Sequence, residues 1–224
     1  MSMLSPLGPA TCYILSNEKY EDTVLNTTNN ADIEKLQNSL SRLNINPVIH
    51  REKKVAEIRQ LMTELSNTDF ESSSAILIVI LTNGRVKGQV HASDDFYDLE
   101  TEIFKPIINN PTLKNKPKIF IVEANRGFRE IDNITVDAVA FGKRPSKIIK
   151  LFSNYEGYKS CRTSEHSLLI KSFCSVLDEF GASHDIKWIF QKVQKEVEHF
   201  SGQRAFPVVE GNMTNNYVFG QHST

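Results

Sequence analysis

The sequence lacks the features that mark secreted, membrane-spanning and nucleic-acid-binding proteins. Its longest apolar run covers only Ala75–Leu81, far short of the ~20 residues that cross a bilayer. Residues 1–10 contain neither the basic nor the apolar segment of a secretory signal peptide. With 26 Lys+Arg against 27 Asp+Glu, the chain has no positive excess to attract DNA or an anionic membrane. We therefore expect neither nucleic acid nor membrane among its partners.

Cysteine is scarce, and its pattern excludes a disulfide framework. The three cysteines, Cys12, Cys161 and Cys174, form no Cys-x-x-Cys pair and are odd in number. This usage is typical of a cytosolic protein with reduced thiols, so we expect a cytoplasmic location. The six histidines show no metal-ligand spacing. The sequence therefore predicts no metal and no cofactor.

The composition is that of an ordinary folded domain. The 224 residues are 40% hydrophobic and 24% charged, which is enough for a core without disulfides or metals. Apolar runs alternate with amphipathic segments, which predicts an α/β protein with a mostly parallel sheet and helices on both faces. Strands are predicted at 12–16, 47–49, 75–81, 118–122, 148–152 and 206–209, and helices at 33–43, 55–65, 98–108, 169–180 and 186–200.

Two of the predicted strands end in a polar residue followed by glycine. They are Leu81-Thr-Asn-Gly84 and Val122-Glu-Ala-Asn-Arg-Gly127. In a parallel sheet, functional sites lie beyond the carboxyl ends of the strands, so these two ends are candidates. The alternative is that each Asn and Gly simply forms a turn.

Short motifs occur in a fixed order along nearly the whole chain. They are 14–20, 32–40, 81–84, 116–127, 157–162, 172–177, 193–200 and 207–219. In this order they resemble segments of the caspase family, which has Leu-Ser-His-Gly at the place of 81–84. It has Lys-Pro-Lys-Leu-Phe-x-x-Gln-Ala-Cys-Arg-Gly at the place of 116–127. The resemblance implies the caspase-like α/β fold, with a mostly parallel six-stranded sheet flanked by helices.

The resemblance also implies a domain organisation. Residues 1–10 are expected to be a short N-terminal tail without a prodomain, and 11–224 a single caspase-like domain. Within it, 11–127 resembles the large subunit, 128–147 a linker loop and 148–224 the small subunit. Asp137 in the linker is a candidate processing site; the alternative is a solvated loop carboxylate.

Both residues of the caspase catalytic dyad differ in this sequence. Caspase chemistry needs a thiolate nucleophile and a His that activates it. The position of the Cys is Asn125, and that of the His is Asn83. A carboxamide does not titrate near neutral pH and is a poor nucleophile. The sequence therefore predicts no catalytic residues, and Cys12 and Cys174 are interpreted as buried apolar side chains. His91, eight residues after Asn83, is expected on a hairpin at the surface.

The pocket that binds aspartate in caspases is altered as well. It uses two Arg and one Gln, and here only Arg162 matches. The second Arg falls at about Asn26, and the Gln position is Glu123. Like charges ~4 Å apart at an effective dielectric of ~20 repel by about 4 kcal/mol, so Glu123 opposes an incoming Asp. Arg162 and Glu123 are predicted to pair in a vestigial pocket.

The family's dimer contact implies an interface in the final strand, 206–213. Its candidate residues are Phe206, Val208, Val209, Glu210 and Asn212. A two-fold axis near Glu210 would place two carboxylates together in a homodimer, which favours a heterodimer with an active caspase. The alternative is that Glu210 points to solvent.

The resemblance therefore implies an inactive caspase homologue that regulates an active paralogue in apoptosis. We expect enhancement of the partner's activity rather than decoy inhibition. A weak homodimer is also expected. The runner-up is a residual peptidase that uses Asn125 or Cys161, and a substrate trap is disfavoured by the altered pocket.

Overall fold

Two neighbouring parallel strands, each buried on both faces, form the centre of the structure. The computed structural model describes residues 7–20, 29–85, 87–124, 147–155, 161, 166–211, 213, 216–219 and 221. The central strands are β3 and β6 of a six-stranded sheet with the order β2-β1-β3-β6-β7-β8. The strands are β1 Thr11–Ser16, β2 Val48–Arg51, β3 Ile76–Thr82, β4 Gln89–His91, β5 Phe96–Asp98, β6 Lys118–Ala124, β7 Ile148–Phe152 and β8 Val208–Gly211.

The central strands are apolar and rich in β-branched residues because helices cover both of their faces. Every residue of β3 and β6 is buried. Alternate side chains enter two separate cores: Leu77 and Ile119 lie on one face, and Ile78 and Phe120 on the other. A continuous apolar run therefore marks a doubly covered parallel strand, as the sequence predicts.

In the described part of the chain, five α-helices form the two outer layers. They are α1 Asn30–Ser41, α2 Val55–Asn67, α3 Lys105–Asn109, α4 Leu168–Phe180 and α5 Ile186–Phe200. The first core contains apolar residues of α1, α4 and α5, and the second contains those of α2 and α3. This three-layer α/β arrangement confirms the predicted fold class. None of the helices in the described part of the chain is long and apolar enough to cross a membrane.

Two predicted segments differ from the structure. The segment predicted as a helix from Asp98 begins as a strand: β5 pairs antiparallel with β4, and a π-helical turn, Glu100–Phe104, then leads into α3. The strand predicted at 206–209 is wrong by two residues, because β8 covers Val208–Gly211. Pro207 has no N–H for the sheet ladder, which explains why the strand begins after it.

Strand β8 lies at one edge of the sheet and pairs antiparallel with β7. Its last residue, Gly211, has φ +117, a conformation in the left-handed half of backbone space that side chains strongly disfavour. A Cβ at Gly211 would clash with the carbonyl oxygen of Ile148. The close approach of β7 to β8 thus requires glycine at this position.

Gly211→Ala is expected to lower the free energy of unfolding by about 3 kcal/mol, because backbone strain and a clash act together. Gly202→Ala is a matched control, since Gly202 also has positive φ (+63) but no atom lies within 4 Å of its added Cβ. The control is expected to cost about 1 kcal/mol. Urea unfolding of both variants measures the difference, and equal losses would contradict the close approach.

Candidate functional site

The two candidate strand ends lie side by side in the sheet. In the parallel pair of β3 and β6, Leu81 is opposite Glu123 and Thr82 is opposite Ala124. Asn83 directly follows β3 and is buried, with 8% exposure, while Glu123 has 2%. The topology therefore brings both sequence-predicted positions to the same carboxyl edge.

Five predicted residues lie outside the described residues. They are Asn26, Asn125, Asp137, Arg162 and Asn212. The predicted pairing of Arg162 with Glu123 stays a prediction for this reason.

Two hydrogen bonds fix the backbone of Asn83, one through its N–H and one through its carbonyl oxygen. Its N–H donates to the hydroxyl oxygen of Tyr20 at 3.0 Å, and its carbonyl oxygen accepts from the N–H of His91 at 2.8 Å. The Tyr20 hydroxyl in turn donates to the carbonyl oxygen of Asn17 at 2.7 Å. These bonds fix the end of β3 against the β4–β5 hairpin.

His91 lies in the β4–β5 hairpin, as predicted, but its side chain is only partly exposed. Its ring is half-buried between those of Tyr20 and Phe96, with centroids 4.4 and 4.0 Å away. Its Nδ1 lies 2.7 Å from the carbonyl oxygen of Ala92, and because a carbonyl oxygen only accepts, Nδ1 is the donor in this bond. The ring packs the hairpin onto the sheet.

Glu123 belongs to a buried polar cluster that sequence reasoning missed. The hydroxyl of Ser167 donates to Glu123 Oε2 at 2.5 Å, and the N–H of Ser167 donates to Asp32 Oδ1 at 3.0 Å. Asp32 and Ser167 have 0% exposure. His166 Nδ1 lies 3.3 Å from Asp32 Oδ1. Ser167 thus bridges two buried carboxylates from β6 and α1.

Ser167 also caps α4, since its side-chain oxygen accepts from the N–H of Ile170 at 3.3 Å. A serine before an apolar helical stripe is a recognisable N-cap signal, so this role could have been read from the sequence. Its two carboxylate partners, Asp32 and Glu123, could not be read from the sequence, because they lie in distant segments of the chain. A carboxylate only accepts hydrogen bonds when ionised, so the cluster presents acceptors rather than an anion site.

Two of the thiols are unsuited to nucleophilic chemistry. Burial raises the pKa of Cys12 well above its ordinary range and that of Cys174 to about 12. The thiolate, which is the nucleophile, is therefore scarce at neutral pH for both. The interpretation of Cys12 and Cys174 as buried apolar side chains is confirmed. Cys161 is half-buried against the first core.

The described interface candidates lie on or beside β8. Val208 packs against the second core and Val209 against the first, as strand alternation requires. Glu210 lies directly opposite Lys150 of β7. Phe206 precedes the strand, and its N–H donates to Asn154 Oδ1 at 3.2 Å. A search of the described residues finds no group of His, Cys, Asp and Glu that could hold a metal.

Ser167→Ala is expected to lower the free energy of unfolding by about 2 to 3 kcal/mol, because the cap and the bond to a buried carboxylate are both lost. Ser175→Ala changes an exposed serine of the same helix and is expected to stay within about 0.5 kcal/mol of wild type. Chemical denaturation measures both. If the two variants lose the same stability, the cluster does not connect the three elements.

Comparisons with known proteins give relatives of one kind. A caspase domain model matches residues 10–219. Caspase-1 of Spodoptera frugiperda is 25% identical over 217 residues, which cover 87% of this chain and 72% of that protein. Caspase-3 of Xenopus laevis is 23% identical over 224 residues, covering 93% of this chain and 79% of that protein. A caspase-like protein of Heliothis virescens ascovirus 3e is 29% identical over 98 residues, which cover 44% of this chain and 31% of that protein.

The fold has a close counterpart among solved structures. The crystal structure of Caspase-1 from Spodoptera frugiperda superposes with a TM-score of 0.82, at 22% identity, and covers 98% of this chain and 92% of that one. At this identity the likeness concerns the fold. The match of the caspase domain over nearly the whole chain is the finding that shows the family: the protein belongs to the caspase family.

Proposed function

We propose that this chain is a proteolytically inactive caspase homologue that regulates an active paralogous caspase by heterodimerisation. The observation that carries the proposal is the presence of Asn at positions 83 and 125, each of which directly follows a central strand. The setting we propose is apoptosis in the cytoplasm. The more favoured direction is enhancement of the partner's activity.

Inactivity rests on the chemistry of the carboxamide. Neither Asn83 nor Asn125 can form a thiolate or exchange a proton near neutral pH, which nucleophilic cysteine catalysis requires. Cys12 and Cys174 do not replace the nucleophile, because their pKa values are raised by burial. The nearby ring of His91 is packed between two aromatic rings.

The pocket chemistry supports the same proposal. Glu123 is a carboxylate at a position where the family has a neutral carboxamide, and it is buried beside Ser167. An aspartate side chain entering there would bring a second negative charge into a poorly hydrated site, which is unfavourable unless it is compensated. A substrate trap for aspartate peptides is therefore disfavoured.

A regulatory role is favoured because the described strands and helices form a well-packed scaffold, while Asn stands at positions 83 and 125. Both cores are closely filled by buried apolar side chains from all layers. Strand β8 pairs with β7 alone among the described strands, so its outer edge has free backbone groups. Such an edge pairs readily with another chain. An inactive subunit that supplies this edge could order the loops of an active partner without adding a second active site.

Enhancement and decoy inhibition are distinguished by whether the partner's peptidase activity rises or falls when this protein is added. Purified protein mixed with an active caspase is expected to raise cleavage of an aspartate peptide as its ratio increases, and to cleave nothing alone. A decoy inhibitor would lower cleavage with the same titration. Gly211→Ala, which disturbs β8, serves as the control and is expected to weaken either effect. No change at any ratio would reject regulation by heterodimerisation.

A residual peptidase is the alternative from another class. Peptides that vary the residue before the cleaved bond would detect it, and any turnover abolished by Cys161→Ala would establish it. Cys161 is the half-buried thiol of the three, which is why it is the variant to test.

Partner choice depends on the charge of β8. Glu210 lies opposite Lys150, whose Nζ already contacts Glu100 Oε2 at 3.1 Å and lies 3.9 Å from the Phe104 ring centroid. The strip beside the edge therefore carries two carboxylates and one ammonium. A second copy of the same strip would add like charges, whereas a partner with an apolar or basic residue there would not.

Glu210→Val is expected to strengthen self-association about tenfold, because it removes the repelling pair of carboxylates and adds apolar surface. Glu210→Gln, which removes only the charge, is expected to have a smaller effect in the same direction. Glu179→Val changes an exposed carboxylate on α4 and is the control. Analytical ultracentrifugation measures the dimer fraction. Unchanged self-association in both Glu210 variants would show that Glu210 does not lie at the axis.

A further inference from the structure

A polar cavity lies at the end of the sheet opposite Asn83. It has a volume of about 210 Å³ and opens where the amino ends of β6 and β7 meet the C-terminal segment. Its lining combines amides, hydroxyls and lysine side chains with the apolar residues Leu7, Pro117 and Met213. The lining residues include Ser74, Asn115, Lys116, Lys147, Asn216 and Tyr217. Among the described residues that line it, none is a carboxylate.

Three lysines concentrate positive charge at this end. Lys116 Nζ donates to the carbonyl oxygens of Phe70, Glu71 and Ser73, and Lys118 Nζ to those of Leu113 and Lys116. Lys147 Nζ donates to the carbonyl oxygen of Asn115 at 2.7 Å. The ion pairs found among the described residues include none of these three lysines. Carbonyl oxygens accept from all three, and the carboxylates that act on Lys116, Glu71 and Asp69, do not line the cavity.

Burial and the charge of Lys147 both affect the titration of Lys118, the most buried of the three lysines. Burial lowers the pKa of Lys118 to about 8, and the charge of Lys147 acts in the same direction. Burial also lowers the pKa of Lys116, partly offset by Glu71 and Asp69, which do not line the cavity. Bringing an anion into the cavity would relieve this repulsion.

Lys147 and the paired hydroxyls have hydrogen-bond donors to offer a ligand. An ammonium group has three N–H donors, and Lys147 uses one of them on Asn115, so two remain. The hydroxyls of Ser74 and Tyr217 lie 3.0 Å apart and share one hydrogen bond. One of the two hydroxyl protons therefore remains available. Asn115 and Asn216 add carboxamide N–H groups at the rim.

We propose that this cavity binds a phosphate group, held mainly by Lys147 with the Ser74–Tyr217 hydroxyl pair. The volume lies below the 300 Å³ or more that drug-sized ligands occupy, and it suits a single phosphate. Charge-assisted bonds to phosphate oxygens are the strong ones among hydrogen bonds. Bound phosphate would connect the C-terminal segment that follows β8 to the amino ends of β6 and β7. This site is independent of the regulatory function proposed above.

The test compares sodium phosphate with sodium chloride at equal ionic strength and neutral pH. A ligand that binds only the folded chain raises its stability with concentration, so phosphate is expected to raise the melting temperature beyond chloride. Lys147→Ala is expected to weaken phosphate binding about tenfold or more in calorimetry, because a charged donor is lost. Lys147→Arg keeps the charge and is expected to retain binding. Sodium acetate, which has fewer oxygens and less charge, is expected to bind more weakly.

Lys171→Ala is the matched control, because Lys171 is an exposed lysine of α4. It is expected to bind phosphate as wild type does. Melting in chloride alone verifies that Lys147→Ala folds. Phosphate that stabilises wild type and Lys147→Ala equally, or no more than chloride does, would overturn the proposal. A phosphate monoester such as glycerol 3-phosphate that binds tighter than the free ion would assign the group to a larger ligand.

Discussion

The pairing of β3 with β6 is the constraint on which the rest of the molecule depends. Both strands are buried on both faces, so each must be apolar along its whole length and flanked by helices above and below. Their register places Leu81 opposite Glu123, which brings two strand ends to one edge. A shift of one residue would exchange the two cores and separate the polar groups at that edge.

The polar cluster at this edge connects the layers that the central strands separate. Ser167 caps α4, Asp32 lies in the first turn of α1, and Glu123 is the penultimate residue of β6. Buried carboxylates are costly unless they accept hydrogen bonds, and both accept one from the same serine. Glu123 thus contributes to the packing of this edge through its hydrogen bond with Ser167.

The two ends of the sheet carry opposite charge. The carboxyl end is acidic around Glu123 and Asp32, whereas the amino end carries Lys116, Lys118 and Lys147, for which no ion pair is found in the described part of the chain. The near balance of the whole chain, 26 basic against 27 acidic residues, conceals this separation. At the edge, β8 pairs with β7 alone among the described strands and lies beside the charged residues Glu100, Lys150 and Glu210.

The sequence by itself determined the fold class, because continuous apolar runs and helical periodicity follow directly from burial on two faces or on one. It also determined that Asn occupies positions 83 and 125, which needs no coordinates to be read. Boundaries near Asp98 and Pro207 were less accurate because the hairpin of β4 with β5 and the edge pairing of β8 are long-range contacts. Tertiary structure alone decided that Ser167 bridges Asp32 and Glu123, and that lysines 116, 118 and 147 share one end of the sheet. Ser167 and Asp32 are 135 residues apart in the chain, and only the packing of α1 and α4 on the sheet brings them within hydrogen-bond distance.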